Sequence, residues 1–252
     1  MFIDTHCHLT DRHCAAGDAD RAIENAMAAG VGVLICPTAD PDDIPGALHL
    51  AHMHRNVFCT IGIHPEYTGV NPEQYLTDDI LSDERVVGVG EIGLDYHYSP
   101  ETRMKQIELF EQQLAIAKKH NLPVAIHTRD AEQDTADILK GDVCGVMHCY
   151  TSSWDLAKKM LDRGFMFSAS GILTFKNSNE VRETFAKIPT DRIVIETDAP
   201  YCAPVPYRGK PCEPAMVIET ARVLAQVKGI TLAELEHILT ENTKRLYPKI
   251  QF

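Results

Sequence analysis

The sequence predicts an α/β fold class, a single-domain closed parallel barrel of eight β/α units, and three observations carry that expectation. β-rich runs alternate with longer helical segments from one end of the 252-residue chain to the other, and parallel strands require such crossover helices. Several of the β-rich runs are continuously apolar, as strands buried on both faces are. No composition break or low-complexity linker divides residues 1–252, so one domain of barrel size is expected. The alternative is an open doubly wound sheet, but the one G-x-G-x-x-G, Gly88 to Gly93, lies inside a predicted strand and follows none.

Strand one is the run Phe2-Ile3-Asp4-Thr5-His6-Cys7-His8. Asp18 to Gly30 reads as a helix, with apolar positions at Ala22, Ile23, Ala26 and Met27 and a closing glycine. Val31 to Cys36, stopped by Pro37, is strand two, and its helix runs from about Pro41 to His54. Val57 to His64 is strand three, with Pro72 to Ser82 as its helix. Val86 to Asp95 is strand four; the long helix after it carries Met104, Ile107, Phe110, Leu114 and Ala117 at helical spacing, a face to pack on the sheet. Pro123 to His127 and Ala131 to Lys140 form the fifth unit, Cys144 to His148 and Trp154 to Arg163 the sixth, and Phe165 to Ser170 and Asn177 to Lys187 the seventh. Arg192 to Asp198 is strand eight, followed by a proline-rich loop and helices near Pro214 to Val227 and Leu232 to Asn242. Thr231 with Glu234 three residues on is a capping box for the last of them.

Composition narrows the function. A hydrophobic content of 44% supports a large core. A net charge of -12 excludes a protein coated in basic surface for gripping a duplex, and favours a small or locally held substrate. No run of 18 apolar residues occurs and the first strand begins at Phe2. Neither a membrane span nor a signal peptide is therefore expected, and a soluble, cytoplasmic, monomeric protein is the expectation. The eight cysteines include no C-x-x-C pair, so they read as reduced core or loop residues. Cys7 and Cys149, beside site histidines, are expected to point away from them.

Barrels of this kind hold their sites at the C-terminal ends of the strands. Five of the twelve histidines fall there: His6 and His8 on strand one, His64 on three, His127 on five and His148 on six. His6 and His8, spaced i, i+2, share a face. The others, among them His13 and His97, lie in helices or loops. Glu91 ends strand four and Asp198 strand eight, and a buried carboxylate calls for a cation partner. Four histidines, a glutamate and an aspartate exceed the needs of one tetrahedral ion. Two divalent cations about 3.5 to 4 Å apart use them all if Glu91 bridges. His6, His8, Glu91 and Asp198 then hold one ion, and Glu91, His127 and His148 the other. A water between such ions becomes the nucleophile, with Asp198 as its proton acceptor. The histidines favour Zn, Mn, Ni or Fe, while the carboxylates permit Mg.

The remaining rim residues keep two readings each. His64 either hydrogen-bonds substrate or fixes a loop. Arg129 follows His127, and Arg208 and Lys210 sit at the tip of the loop from Ala199 to Pro214, which five prolines stiffen. These three either grip a substrate phosphate or are solvated. Asp4 and Asp95 are expected to orient loops or ligand histidines.

The motifs His6-Cys7-His8, Gly62-Ile63-His64-Pro65, Gly90-Glu91-Ile92-Gly93-Leu94-Asp95, Ile126-His127-Thr128-Arg129-Asp130-Ala131, His148-Cys149-Tyr150 and Glu196-Thr197-Asp198-Ala199-Pro200-Tyr201 resemble those of the TatD family of metal-dependent hydrolases. Ser170-Gly171, Thr174-Phe175-Lys176 and Arg208-Gly209-Lys210 extend the likeness over essentially the whole chain. The family lies in the amidohydrolase-like superfamily. The resemblance implies a TIM-like barrel, a divalent-metal site on the residues above, and deoxyribonuclease activity, often 3′ to 5′ exonucleolytic with magnesium. DNA or a nucleotide terminus is the implied partner. Two departures stand out. Glu66 follows Pro65 where relatives often continue with histidine, and Tyr150-Thr151-Ser152 stands where they often read Phe-Ser-Gly. Neither removes a ligand. The expected activity is hydrolysis of a phosphodiester. The alternatives are hydrolysis of an amide, lactone or carboxylic ester, including an aminoacyl-tRNA bond, and metal-dependent regulation without turnover.

Overall fold

The computed structural model describes residues 1–10, 14, 19–141 and 143–250. The expected helix start at Asp18 and the loop position of His13 lie outside these. Eight parallel strands, β1 (Phe2–Asp4), β2 (Val31–Pro37), β3 (Val57–Thr60), β4 (Val86–Asp95), β5 (Val124–Arg129), β6 (Gly145–Met147), β7 (Met166–Ala169) and β8 (Ile193–Ile195), pair in chain order. The seam between β8 and β1 closes just beyond the strand ends. There Thr5 N–H donates to Ile195 O at 3.0 Å, Asp198 N–H to His6 O at 2.9 Å and His8 N–H to Ala199 O at 2.8 Å, and Cys7 bridges Ala199 in parallel. The result is the expected (β/α)8 barrel, nearly closed, with His6, His8 and Asp198 on one seam.

Helices α1 (Ala19–Ala28), α2 (Ile44–Met53), α3 (Asp78–Ser82), α4 (Arg103–His120), α5 (Glu132–Ile138), α6 (Trp154–Asp162), α7 (Asn179–Lys187), α8 (Val217–Lys228) and α9 (Leu232–Leu246) surround the strands. Alternation along each strand separates two cores. One face packs on the helices through residues such as Leu34, Cys36, Val89, Ile126 and Phe167. The other gathers Ile3, Val33, Ile35, Phe58, Val87, Ala125, Val146, Met166 and Val194 with Leu246, Tyr247 and Ile250 from the end of the chain. Among the described residues no helix is long and apolar enough to cross a membrane.

Local differences from the sequence reading have local causes. Residues 72–82 do not form one helix: a 3-10 turn, Pro72–Gln74, is followed by α3, which Thr77 restarts by accepting from Ile80 N–H. Met27 and Met104 are exposed. The buried stripe of α4 is Gln106, Leu109, Phe110, Gln113, Leu114 and Ala117, spaced 3-1-3-1-3, and Met104 falls off it. Past Thr60, Ile61 still pairs with β4, donating to Gly88 O and accepting from Gly90 N–H, both at 3.1 Å, and side chains take over from there: Gln113 Oε1 accepts from Ile63 N–H at 2.8 Å and its Nε2 donates to Ile63 O at 3.0 Å. Gln106 clamps Asp95 in the same way, accepting from its N–H at 2.8 Å and donating to its carbonyl at 2.9 Å. Thus α4 holds the exits of both β3 and β4. The capping box at Thr231 and Glu234 is formed, and α9 runs past Asn242 because that side chain caps Thr190 O and Ile193 O instead of its own helix.

Candidate metal centre

β4 sets the centre. Its register with β5 shifts between Val89 and Ile92, and Glu91 sits in that irregularity, its N–H bonded to Thr38 O at 2.9 Å. A bulge re-aims a side chain; here the carboxylate is aimed into the mouth of the barrel. Its Oε2 lies 3.4 Å from His6 Nε2 and 3.7 Å from His8 Nε2. Its Oε1 lies 2.8 Å from His127 Nδ1, 3.1 Å from His148 Nε2 and 3.7 Å from His64 Nε2. Asp198 Oδ1 stands 4.0 Å and 3.8 Å from Nε2 of His6 and His8. The residues singled out as ligands therefore converge in two groups, one on each oxygen of Glu91, and His64 joins the second group.

A ring of acids holds these side chains. Asp95 Oδ2 meets His127 Nε2 at 3.0 Å, while its Oδ1 accepts from the N–H groups of His97 and Tyr98, both at 2.9 Å. Asp4 accepts from Thr197 N–H at 2.9 Å, Thr197 Oγ1 at 2.5 Å and His6 N–H at 3.2 Å, tying the exits of β1 and β8 together. Glu196 Oε1 lies 3.0 Å from His148 Nδ1 and accepts from Cys149 N–H at 2.6 Å. The sequence reading gave Asp4 and Asp95 positioning roles but assigned none to Glu196. The available signal was its i, i+2 relation to Asp198, the spacing that singled out His6 and His8.

Electrostatics divide the cluster. Burial works to raise the Glu91 carboxyl, but the charge of His148 and hydrogen bonds from His127 and His148 hold it well below the usual range. Burial opposes charge on His148, yet Glu196 and Glu91 push it well above the ordinary imidazole value. Burial likewise opposes His127, and Asp95 and Glu91 raise it. Burial and the neighbouring His148 lower His6, and burial pushes His64 down to about 3, so both are neutral. Asp198 is pushed well above the carboxylate range by burial, with Cys202, Glu196 and Glu91 adding and His148 opposing. The buried Nε2 of His6 has no hydrogen-bond partner. An orphaned imidazole nitrogen beside a carboxylate short of positive charge is the deficit a divalent cation relieves, and the donor atoms of His6, His8 and Asp198 lie within 4.8 Å of one another. The residues fit such an ion.

A cavity of about 510 Å³ opens over the centre, lined in part by His64, Glu66, Tyr98, Arg129 and Tyr201. The Arg129 guanidinium lies 4.6 Å above the Tyr98 ring. Arg208 and Lys210 do not line this cavity; Arg208 stacks on Phe175 at 3.7 Å instead, a cation–π contact that draws the loop tip aside. Cys7 faces away from the centre, toward Ile35 O. Cys149 does not: its donor atom groups with those of Asp198 and Cys202. Its backbone is left-handed, with φ of 42°, so the alternation rule for strands no longer applies there.

A parallel barrel that gathers histidines and carboxylates at the C-terminal mouth of its strands defines a metal-dependent hydrolase. The family model for TatD related DNase matches residues 3–248, and the chain belongs to the TatD family. It is 39% identical to the metal-dependent hydrolase YcfH of Escherichia coli K12, over 98% of this chain and 96% of that one. It is 38% identical to the metal-dependent hydrolase YabD of Bacillus subtilis, over 98% and 99% of the two chains. The crystal structure of YjjV, a TatD homolog of Escherichia coli, is similar with a TM-score of 0.86 at 28% identity, 98% of each chain being covered.

Proposed function

We propose that this hydrolase cleaves phosphodiesters at the end of a DNA strand, as a 3′ to 5′ exonuclease. The observation that carries the reading is the convergence of two donor groups on the separate oxygens of Glu91, beneath a cavity that also holds Arg129. Divalent cations, Mg, Mn or Zn, held by His6, His8, Glu91 and Asp198 on one side and by Glu91, His127 and His148 on the other, would supply Lewis-acid activation and neutralise phosphate charge. Such ions bring the local positive field that a chain of net charge -12 lacks. Asp198, beside both histidines of the first group, would take the proton of the attacking water once bound cations hold its carboxyl ionised. Asp95 and Glu196 keep His127 and His148 in orientation. Arg129 offers two parallel N–H donors to a phosphate. Tyr98 and Tyr201, 60% and 53% exposed at the cavity rim, offer ring faces on which a terminal base stacks.

Glu66 favours a second reading. Its carboxylate lies 3.5 Å from His64 Nδ1 on the cavity wall and repels a phosphate, which suits an amide, lactone or carboxylic ester substrate. Metal-loaded protein assayed on single-stranded DNA labelled at either end, beside ester, lactone and amide panels, separates the two. DNA shortened from its 3′ end is the expected result, and no cleavage with any of Mg, Mn, Zn or Co refutes the nuclease reading. Asp198→Asn should lower kcat by about 10²- to 10⁴-fold with cation binding still measurable by calorimetry.

A further inference from the structure

Asp198 faces two different sets of donors. Its Oδ1 looks toward His6 and His8, whereas its Oδ2 accepts from the Cys202 thiol at 3.5 Å. Cys149, whose Sγ lies 3.1 Å from Ser170 Oγ, completes a group with Cys202 and Asp198 in which the sulfur and oxygen donors all lie within 4.8 Å of one another. The three backbones share a left-handed conformation, with φ of 42° at Cys149, 59° at Asp198 and 53° at Cys202, which non-glycine residues seldom adopt. Neither cysteine is engaged in a disulfide. Two sulfurs and a carboxylate are a donor set for a borderline or soft ion, unlike the all-oxygen shell that Mg2+ prefers.

We propose that Cys149, Cys202 and Oδ2 of Asp198 form a separate cation site for a thiophilic divalent ion of the Zn2+ and Cd2+ class, sharing Asp198 with the histidine centre. Binding converts both thiols to coordinated thiolates and uses Asp198 as carboxylate: the two thiol protons leave to solvent for each ion taken up, joined by the Asp198 proton when the histidine centre is empty, with water in the remaining position. An ion there commits the charge of Asp198 and slows the hydrolysis proposed above. That consequence rests on Asp198 as proton acceptor; the binding does not.

The test uses Cd2+ on the full-length, reduced protein, with alkylation of each cysteine by iodoacetamide read by mass spectrometry. Cd2+ should slow labelling of both Cys149 and Cys202 by at least about tenfold, since a coordinated thiolate is a poor nucleophile, and leave the exposed Cys144 unaffected. A cadmium–thiolate charge-transfer band should grow in the ultraviolet and be lost in Cys202→Ser. Equal labelling of the two cysteines with and without Cd2+ in the wild type overturns the site, as does a band of unchanged strength in both Cys202→Ser and Cys149→Ser. Cadmium bound at this pair with DNA cleavage undiminished supports the site and removes the proton-accepting role given to Asp198.

Discussion

Glu196 shows how much of the centre rests on residues that need touch neither ion nor substrate. It is 1% exposed, and its Oε1 forms an ion pair with His148 Nδ1 at 3.0 Å and accepts from Cys149 N–H. Replacing it by glutamine keeps the shape and removes the charge that orients the imidazole. Glu196→Gln should therefore weaken divalent-metal affinity by about 10- to 100-fold, with an unchanged circular dichroism spectrum; calorimetric titration with Mn2+ or Zn2+ measures it, and wild-type affinity rules the role out. At this scale the sequence was legible wherever a side chain sits on a regular strand or its direct continuation. His6 and His8 share a face because the chain stays extended through Cys7, which still pairs with Ala199. Legibility failed at Cys149, whose side chain the strand alternation sends the wrong way once its backbone leaves the extended conformation, and where a long side chain chooses a partner, as Arg208 does with Phe175. Neither choice is encoded in spacing.

Elements place the ligands through close approach and through polar clamps. At Gly93, φ is 145° and a Cβ would stand 2.0 Å from His127 O, so β4 and β5 can meet there only without a side chain. Gly93→Ala should destabilise the protein by about 1 to 3 kcal/mol and displace His127, seen as a lowered urea midpoint together with weaker metal binding. Gln113→Leu should cost about 2 kcal/mol by leaving the buried N–H and carbonyl of Ile63 unpaired, and urea denaturation reads that too. The helical stripe of α4 was legible as a period, but hydrophobicity alone could not show that two of its buried positions are glutamines clamping loops. On the outer surface, Arg103 grips Asp134 at 2.7 and 2.9 Å and Tyr96 donates to it at 2.6 Å. Those hydrogen bonds from Arg103 and Tyr96 hold the Asp134 carboxyl below its ordinary value. The folded chain thus binds this proton more weakly than the unfolded chain. Its contribution is present above the unfolded carboxylate pKa and is lost as pH falls through the lowered folded value. Asp134→Asn should destabilise by about 1 kcal/mol or less at neutral pH, and the gap from wild type should shrink toward about pH 3 in urea midpoints measured at both.

The whole molecule depends on the seam that joins its first strand to its last. Eight alternating units predict a barrel, but alternation does not say whether β8 reaches β1, and only closure puts Asp198 beside His6 and His8. The closing contacts lie past the regular strands, at residues 5–8 and 195–199, where propensity and period carry no information. Asp4 is the latch. It is fully buried, and it accepts from the backbone N–H and hydroxyl of Thr197 and from His6 N–H, so one carboxylate fixes the backbones that bear two of the ligand positions. Asp4→Ala leaves buried donors of Thr197 and His6 without an acceptor, and each such loss costs about 1 to 3 kcal/mol. Asp4→Asn keeps one acceptor oxygen, and the Thr197 hydroxyl can rotate to accept from the new amide. The alanine variant should therefore be the less stable of the two in urea and should lose divalent-metal affinity, while the asparagine variant recovers most of both. If the alanine variant instead binds Mn2+ as tightly as wild type, the seam does not position the metal centre and some other contact must hold β8 against β1.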